Sequence, residues 1–258
     1  MSQHFLLSLA AKTLSLAQVF RMSDAEAEAM FCKVRWFDTN GKPVCPHCGG
    51  LDAYEARRPN GLLRFRCRAC KSDFTVASGT LFASHKLPLK GYLAAIAIFC
   101  NEVKGKSMLA LSRDLGTSYK TAFVLAHKLR EAMAVELKGR VIGGEGKVAE
   151  VDGGYFGGYV KPAKFEMRRI NHEEAYSLNG ACTNWAETFF SRMRRAEIGH
   201  HHHVAGPYLL RFAQEASWRE DNRRLSNGEQ VNRVAGLAMA AKQSVDFCGY
   251  WQRHIRAG

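Results

Sequence analysis

The chain has 258 residues, 47% of them hydrophobic and 24% charged, which suits one large folded unit or two to three small ones rather than a disordered chain. Its net charge of +13 and pI near 9.5 point to a polyanionic partner, although charge alone does not separate DNA from RNA or from an anionic membrane. No run approaches the roughly 18 consecutive apolar residues that cross a bilayer. The start, residues 1–20, lacks a basic lead and a small-residue cleavage site. The expectation is therefore a cytoplasmic protein without a membrane partner, in which eight cysteines do not build a disulfide scaffold.

Residues 5–30 read as helical, with Ser23 and Asp24 capping a second, Glu/Ala-rich helix that starts near Ala25. The first domain expected is a helical segment over 1–40. A ribbon over 41–78 follows. Cys45, Cys48, Cys67 and Cys70 form two C-x2-C pairs, each able to turn two thiolates onto one ion. Two such knuckles complete a closed tetrahedral zinc shell, which is structural rather than catalytic. His47 sits inside the first knuckle and is not needed as a ligand. Residues 51–66 are expected to form a hairpin beneath the site, and residues 74–76 a last strand. Cys32, Cys100, Cys182 and Cys248 have no partner at metal spacing, so each is expected as a buried thiol.

Beyond a loop at 77–85, Pro88 opens a helix expected to run to Val103, with Tyr92, Leu93, Ile96, Phe99, Cys100 and Val103 at helical spacing. Two shorter helices are expected over 107–115 and 119–137, with Gly116 between them. Leu111 and Leu115 would then face Ala122, Leu125, Ala126 and Leu129, as in a helix-turn-helix. The region 86–138 is read as this helical DNA-binding unit. Its second helix would bring Ser118, Tyr119, Lys120 and Thr121 to bases and phosphates, with His127, Lys128 and Arg130 further along. An ordinary helical hairpin with Lys and Arg as a solvated face is the competing reading.

The Gly-rich stretch 139–146 is a natural boundary before the last unit, 147–258. Lys147 to Asp152 reads as a short strand ending on an acid, followed by Gly153 and Gly154. The four histidines 200–203 are internal and read as native.

At this point the chain resembles the bacterial insertion-sequence transposases of the DDE/D type that carry an N-terminal zinc ribbon. The likeness lies in Arg35-Trp36, the Cys45 knuckle, residues 74–81 and 111–133, Val151 to Gly158, and the block 172–195. Its most specific part is Thr183-Asn184-Trp185-Ala186-Glu187-Thr188-Phe189-Phe190-Ser191. The tail is similar through Glu215 to Arg219 and Asn222 to Arg224. The Thr183 to Ser191 block argues against an unrelated zinc-ribbon transcription factor, which has no need of it.

The resemblance implies an α+β, multidomain chain that ends in an RNase H-like α/β domain. There two magnesium ions held by acids would activate a water or 3′-hydroxyl and stabilise the leaving oxygen. It implies Asp152 as the first magnesium ligand, Asn184 or Glu187 at the third position, and Arg194 as a contact to the DNA backbone. The implied partner is double-stranded DNA at terminal inverted repeats, and the resemblance admits a homo-oligomer.

The family's second Asp is missing. No Asp lies between Asp152 and Asp221, and the acids before Glu187 are Glu166, Glu173 and Glu174. Only 34 residues separate Asp152 from Glu187. Three strands and a helix with their loops need about 50 or more. The character of the chain also changes abruptly, from the Gly-rich stretch 155–162 to the charged stretch 164–169. An internal deletion near Pro162 to Lys164, leaving an incomplete RNase H-like domain and impaired catalysis, accounts for all three. A compact variant that uses Glu166 or Glu173 is the alternative, as is a non-catalytic DNA-binding protein or repressor descended from a transposase.

Overall fold

The computed structural model describes residues 5–59, 61–83, 87–139, 177–178, 181–182, 184–201 and 203–255. The strand expected at 147–152, the change of character at 162–164, and Glu166 and Glu173 lie outside these residues, so the expected deletion does too.

The N-terminal stretch is more broken than its composition suggests. Two 3-10 turns, Phe5–Leu7 and Leu9–Ala11, precede α1 (Leu16–Arg21) and α2 (Asp24–Arg35). Each helix begins at a capping box. The Ser15 and Ser23 hydroxyls accept from the Gln18 and Glu26 amides, and those side chains reach back to the cap residue. Such reciprocal caps satisfy the orphan donors of a helix start, and the second helix opens at Ser23 as expected. The gap between the turns and α1 is held from afar, because the Asn227 carboxamide oxygen accepts from the Thr13 and Leu14 amides, each at 2.9 Å.

A three-stranded antiparallel sheet follows, of β1 (Ala53–Arg57), β2 (Leu63–Cys67) and β3 (Asp73–Phe74), in the order β1-β2-β3. Ala53 pairs with Cys67 and Phe65 with Phe74, so register alone delivers Cys67 and both rings to one face. Trp36, at the end of α2, meets both rings edge to face at 5.4 and 6.3 Å, and the three close the ribbon's own core. Arg35 fastens the loop after β3 by donating to the carbonyls of Thr75, Val76 and Ser78.

The helical body is built around α3 (Leu89–Asn101). Every residue from Tyr92 to Cys100 is buried, so α3 is a core helix rather than an amphipathic one. It packs against α1, α2 and α8 (Asn227–Ala240). Val103, expected on its apolar face, lies past the helix end and is 79% exposed. α4 (Met108–Asp114) and α5 (Tyr119–Val135) pack on each other, and α5 also packs on α7 (Gly206–Asp221) and α8. α7 and α8, which the sequence groups with residues 147–258, thus share one core with α3 and α5. β4 (Ser177–Leu178) and β5 (Ala181–Cys182) form a small hairpin ahead of α6 (Asn184–Ala196), which continues as a π-helical turn and rests on α7. Among the described residues no helix is long and apolar enough to cross a membrane.

Candidate metal centre and basic helices

The four cysteines of the two C-x2-C pairs converge. Their Sγ atoms all lie within 4.8 Å of one another, with Cys45 and Cys70 at 3.6 Å and Cys48 and Cys67 at 3.6 Å. A tetrahedral zinc shell with bonds of about 2.3 Å needs edges of about 3.8 Å, so the cage already has the size of the ion. The two knuckles are built alike. The Cys45 amide donates to the Gly50 carbonyl at 2.9 Å, and the Gly49 amide donates back to Cys45 at 2.9 Å. In the second knuckle the Cys67 amide donates to Ser72 at 3.0 Å and the Lys71 amide donates to Cys67 at 3.0 Å. The fourth residue after each leading cysteine therefore takes positive φ: Gly49 at 73° and Lys71 at 61°.

The thiols compete for protons. Hydrogen bonds from Ser72 pull the Cys70 thiol down to about 6. The Gly50 amide pulls Cys48 the same way, yet the crowding of Cys70, Cys67 and Cys45 pushes it up to about 12. A divalent ion removes that competition, because it takes all four sulfurs as thiolates. The donor set and spacing fit structural zinc, and His47 is not part of the cluster. Of the remaining cysteines, Cys32 and Cys100 are buried as expected. Cys248 is exposed, because it lies in the turns after α8 rather than in a helix of the core.

The first turn of α5 stands clear of the core. Gly116, at φ +61°, makes the reversal after α4 that a side chain would strain. Ser118 caps α5 by accepting from the Thr121 amide, and Ser118, Tyr119, Lys120 and Thr121 are all exposed. The Lys120 ammonium lies 5.4 Å from the centre of the Trp251 ring, whose indole donates to the Lys120 carbonyl.

The rest of α5 corrects the sequence reading. Lys128, expected near DNA, is 2% exposed and donates to the Leu81 carbonyl at 3.0 Å, so it cannot reach a phosphate. His127 and Arg130 are 0% exposed. The reason is that α5 runs between α4, α7 and α8, and only its first turn projects beyond them. His127 is walled in by rings, stacked on Phe247 at 4.9 Å and tilted against Tyr208 at 4.6 Å, and burial pushes its imidazole down to about 3.

Arg130 anchors a cluster that the sequence did not reveal. Its Nε donates to Glu215 at 2.6 Å, and Arg219 grips the other Glu215 oxygen at 2.7 Å while donating to the Phe99 and Glu102 carbonyls. Burial alone would raise the Glu215 carboxyl, but the two guanidinium groups hold it down to about 2. The spacing of Glu215 and Arg219 is visible in the sequence as an i,i+4 pair. Arg130 lies 85 residues away, so nothing local marks it.

Of the expected catalytic residues, Asp152 lies outside the described residues. Asn184 opens α6. Glu187 is partly buried and Arg194 is exposed, both on α6. Seven residues apart, they share one flank of that helix.

The transposase zinc-ribbon domain model matches residues 22–73, and the ISXO2-like transposase domain model matches residues 152–221. No curated protein and no solved structure matches the chain. With the ribbon match enclosing all four converging cysteines and the transposase match beginning at Asp152 and enclosing α6, the two matches support an insertion-sequence transposase with an N-terminal zinc ribbon.

Proposed function

We propose that this transposase binds the terminal repeats of its element through the ribbon and the α4–α5 pair, and that it does not itself cut or join DNA. The observation that carries the binding half is the exposed first turn of α5, Ser118 to Thr121, presented beyond the Gly116 reversal. That is the part of a second helix that enters a major groove in a helix-turn-helix. The net charge of +13 supplies the attraction to phosphate.

The catalytic half rests on the acids. Carboxylates are the right donors for magnesium, and Asp152 and Glu187 are the two that the family's pattern retains. A two-metal site must neutralise two divalent ions about 3.5–4 Å apart. Two carboxylates are too few, and the 34 residues between them leave too little chain for the strand that would carry the second Asp. Asn184 and Arg194 would then keep their places around a site that no longer turns over. A chain that binds the ends without processing them would compete with an intact relative, which is the repressor reading.

The test is a labelled terminal-repeat duplex incubated with the purified, zinc-loaded chain. The expected outcome is a salt-sensitive mobility shift and no nicking with Mg2+ or Mn2+. Robust cleavage that Asp152→Ala abolishes, and that also needs Glu166 or Glu173, would establish the compact active variant instead.

A further inference from the structure

A cavity of about 1120 Å³ opens between α6, α7 and the N-terminal turns. Its wall is apolar, formed by Leu6, Val103, Met193, Val204 and Phe212. Its floor is the Glu215–Arg219 pair, beside His201, whose Nδ1 is buried without a hydrogen-bond partner. Its rim is cationic. Glu220 is already held by Arg192 and Arg223, and Glu215 by Arg130 and Arg219. Lys104, Arg195 and Arg224 also line the opening and make no ion pair among the described residues. Arg195 donates only to Ser191. Glu197 is the one remaining carboxylate of the lining.

An apolar wall with surplus cations at its mouth does not suit a purely apolar ligand, which would leave more positive charge than Glu197 can answer. It does not suit a bare anion either, which would leave the wall unfilled. A group with a flat apolar face and a phosphate at its edge answers both. We propose that this cleft seats one unpaired nucleotide of a DNA strand, with the base against the Phe212 side and a phosphate between Lys104, Arg195 and Arg224. A paired base cannot enter a concave site, because its faces and edges stay in the duplex. Base contact with an apolar or aromatic wall together with phosphate contact to Arg and Lys is the usual means of holding single strands. The placement also suits a strand running past α6. Thr188, Arg192 and Arg195 line the cleft, whereas Glu187 and Arg194 lie on the neighbouring flank of the same helix, roughly a third of a turn away.

This inference rests on the DNA-handling reading above and deepens it. Fluorescence polarisation of a labelled oligothymidylate with the full zinc-loaded chain tests it. Ala216→Trp fills the cleft and the Arg195→Glu, Arg224→Glu double variant inverts its rim. Each is expected to weaken the single strand roughly tenfold or more while duplex binding persists. Single-strand binding that is absent, or unchanged in both folded variants, overturns the proposal. Competition by inorganic phosphate or by thymidine monophosphate as strong as by the oligonucleotide also overturns it, because base and strand would then add nothing. Photo-crosslinking of a 4-thiothymidine oligonucleotide to the unmodified chain needs no variant to fold. Adducts are expected on α6 and α7, and adducts confined to residues 45–74 or 113–124 would place the strand elsewhere. If the chain fails to bind duplex DNA at all, the proposed function fails independently of these outcomes.

Discussion

In the ribbon, three aromatic rings, Val76 and the two buried cysteines Cys45 and Cys67 make up nearly all of the interior, Cys48 and Cys70 are exposed, and the strands run for five, five and two residues. In the helical body, α3 alone buries nine consecutive residues, and α5 buries ten more, charged ones included. The first region has too little apolar area to hold itself and depends on an ion. The second has area to spare and spends some of it enclosing an ion pair and a histidine. Stability in the two regions should therefore respond to different insults, and the differences can be ranked.

Removing a zinc ligand should have the largest effect. Cys67 is fully buried within the four-thiol cluster, so Cys67→Ser is expected to abolish stoichiometric zinc and cost the ribbon on the order of 10 kcal/mol of folding free energy. The helical body should survive, with α3, α5, α7 and α8 still protected in hydrogen exchange. Full zinc content in that variant would remove the four-thiolate assignment. Loss of protection throughout the body would show that the two regions are one cooperative unit.

Next in size is the buried cluster. Glu215→Gln leaves Arg130 charged and fully enclosed, with Phe212 3.9 Å from its guanidinium carbon as its main remaining neighbour. Breaking a buried pair from one side costs about 3–5 kcal/mol. Urea unfolding followed through Trp218 should show that loss with zinc content unchanged. The pair variant Arg130→Met, Glu215→Leu should recover much of it, since it removes both charges. If Glu215→Gln is silent, the cluster is not a structural anchor.

The body is also the region in which acid should act through histidine. His127 is held down to about 3 and His201 to about 4, both chiefly by burial, against about 6.5 in the unfolded chain. Both folded values are depressed, so the unfolded state binds more protons below that value. The stability is fully present above about pH 6.5 and drains away as pH falls toward 4 and 3. Between pH 7.5 and 5 the His127 share is about 2 kcal/mol. Acid also strips zinc from thiolates, so the informative quantity is the difference between the unmodified chain and His127→Phe. The variant should lose less stability over that interval. Equal losses would mean that His127 does not titrate with unfolding.

The same contrast explains what could be read in advance. The ribbon was legible because its information is local. Two C-x2-C pairs, the turn glycines between them and the aromatic strand residues name the ligands, the hairpin and the core. The body was legible only as helices. Ser107, Gly116 and Ser118 mark α4 and α5 correctly, but which side of α5 is covered depends on α7 and α8, far along the chain, as in the 85 residues between Arg130 and Glu215. Lys128 therefore reads as a solvated cation and is a core residue, and Arg130 reads as a surface charge and is the centre of an ion cluster. No periodicity reveals a partner carboxylate on another helix. Val103 and Cys248 mislead for the opposite reason, since apolar character alone does not say where a helix ends or whether a chain segment reaches the core.

The smallest effect expected lies inside the ribbon, between its two matching knuckles. Gly49 and Lys71 occupy equivalent positions with nearly equal positive φ, 73° and 61°, and make equivalent amide bonds to Cys45 and Cys67. A Cβ added at Gly49 meets nothing within 4 Å, so Gly49→Ala introduces no clash. Its whole cost is the left-handed backbone, about 1–2 kcal/mol less the entropy that glycine loses on folding, about 0.5–1 kcal/mol. Lys71 already bears that cost, so Lys71→Gly should return the reverse of it, a net change below about 1 kcal/mol. Paired zinc-competition titrations and thermal melts of the two variants measure both shifts against the unmodified chain. Gly49→Ala should release zinc more readily and Lys71→Gly should hold it as well or better. If both variants weaken zinc, the knuckles are not equivalent. The Lys71 side chain would then be contributing to the site by a contact beyond its backbone.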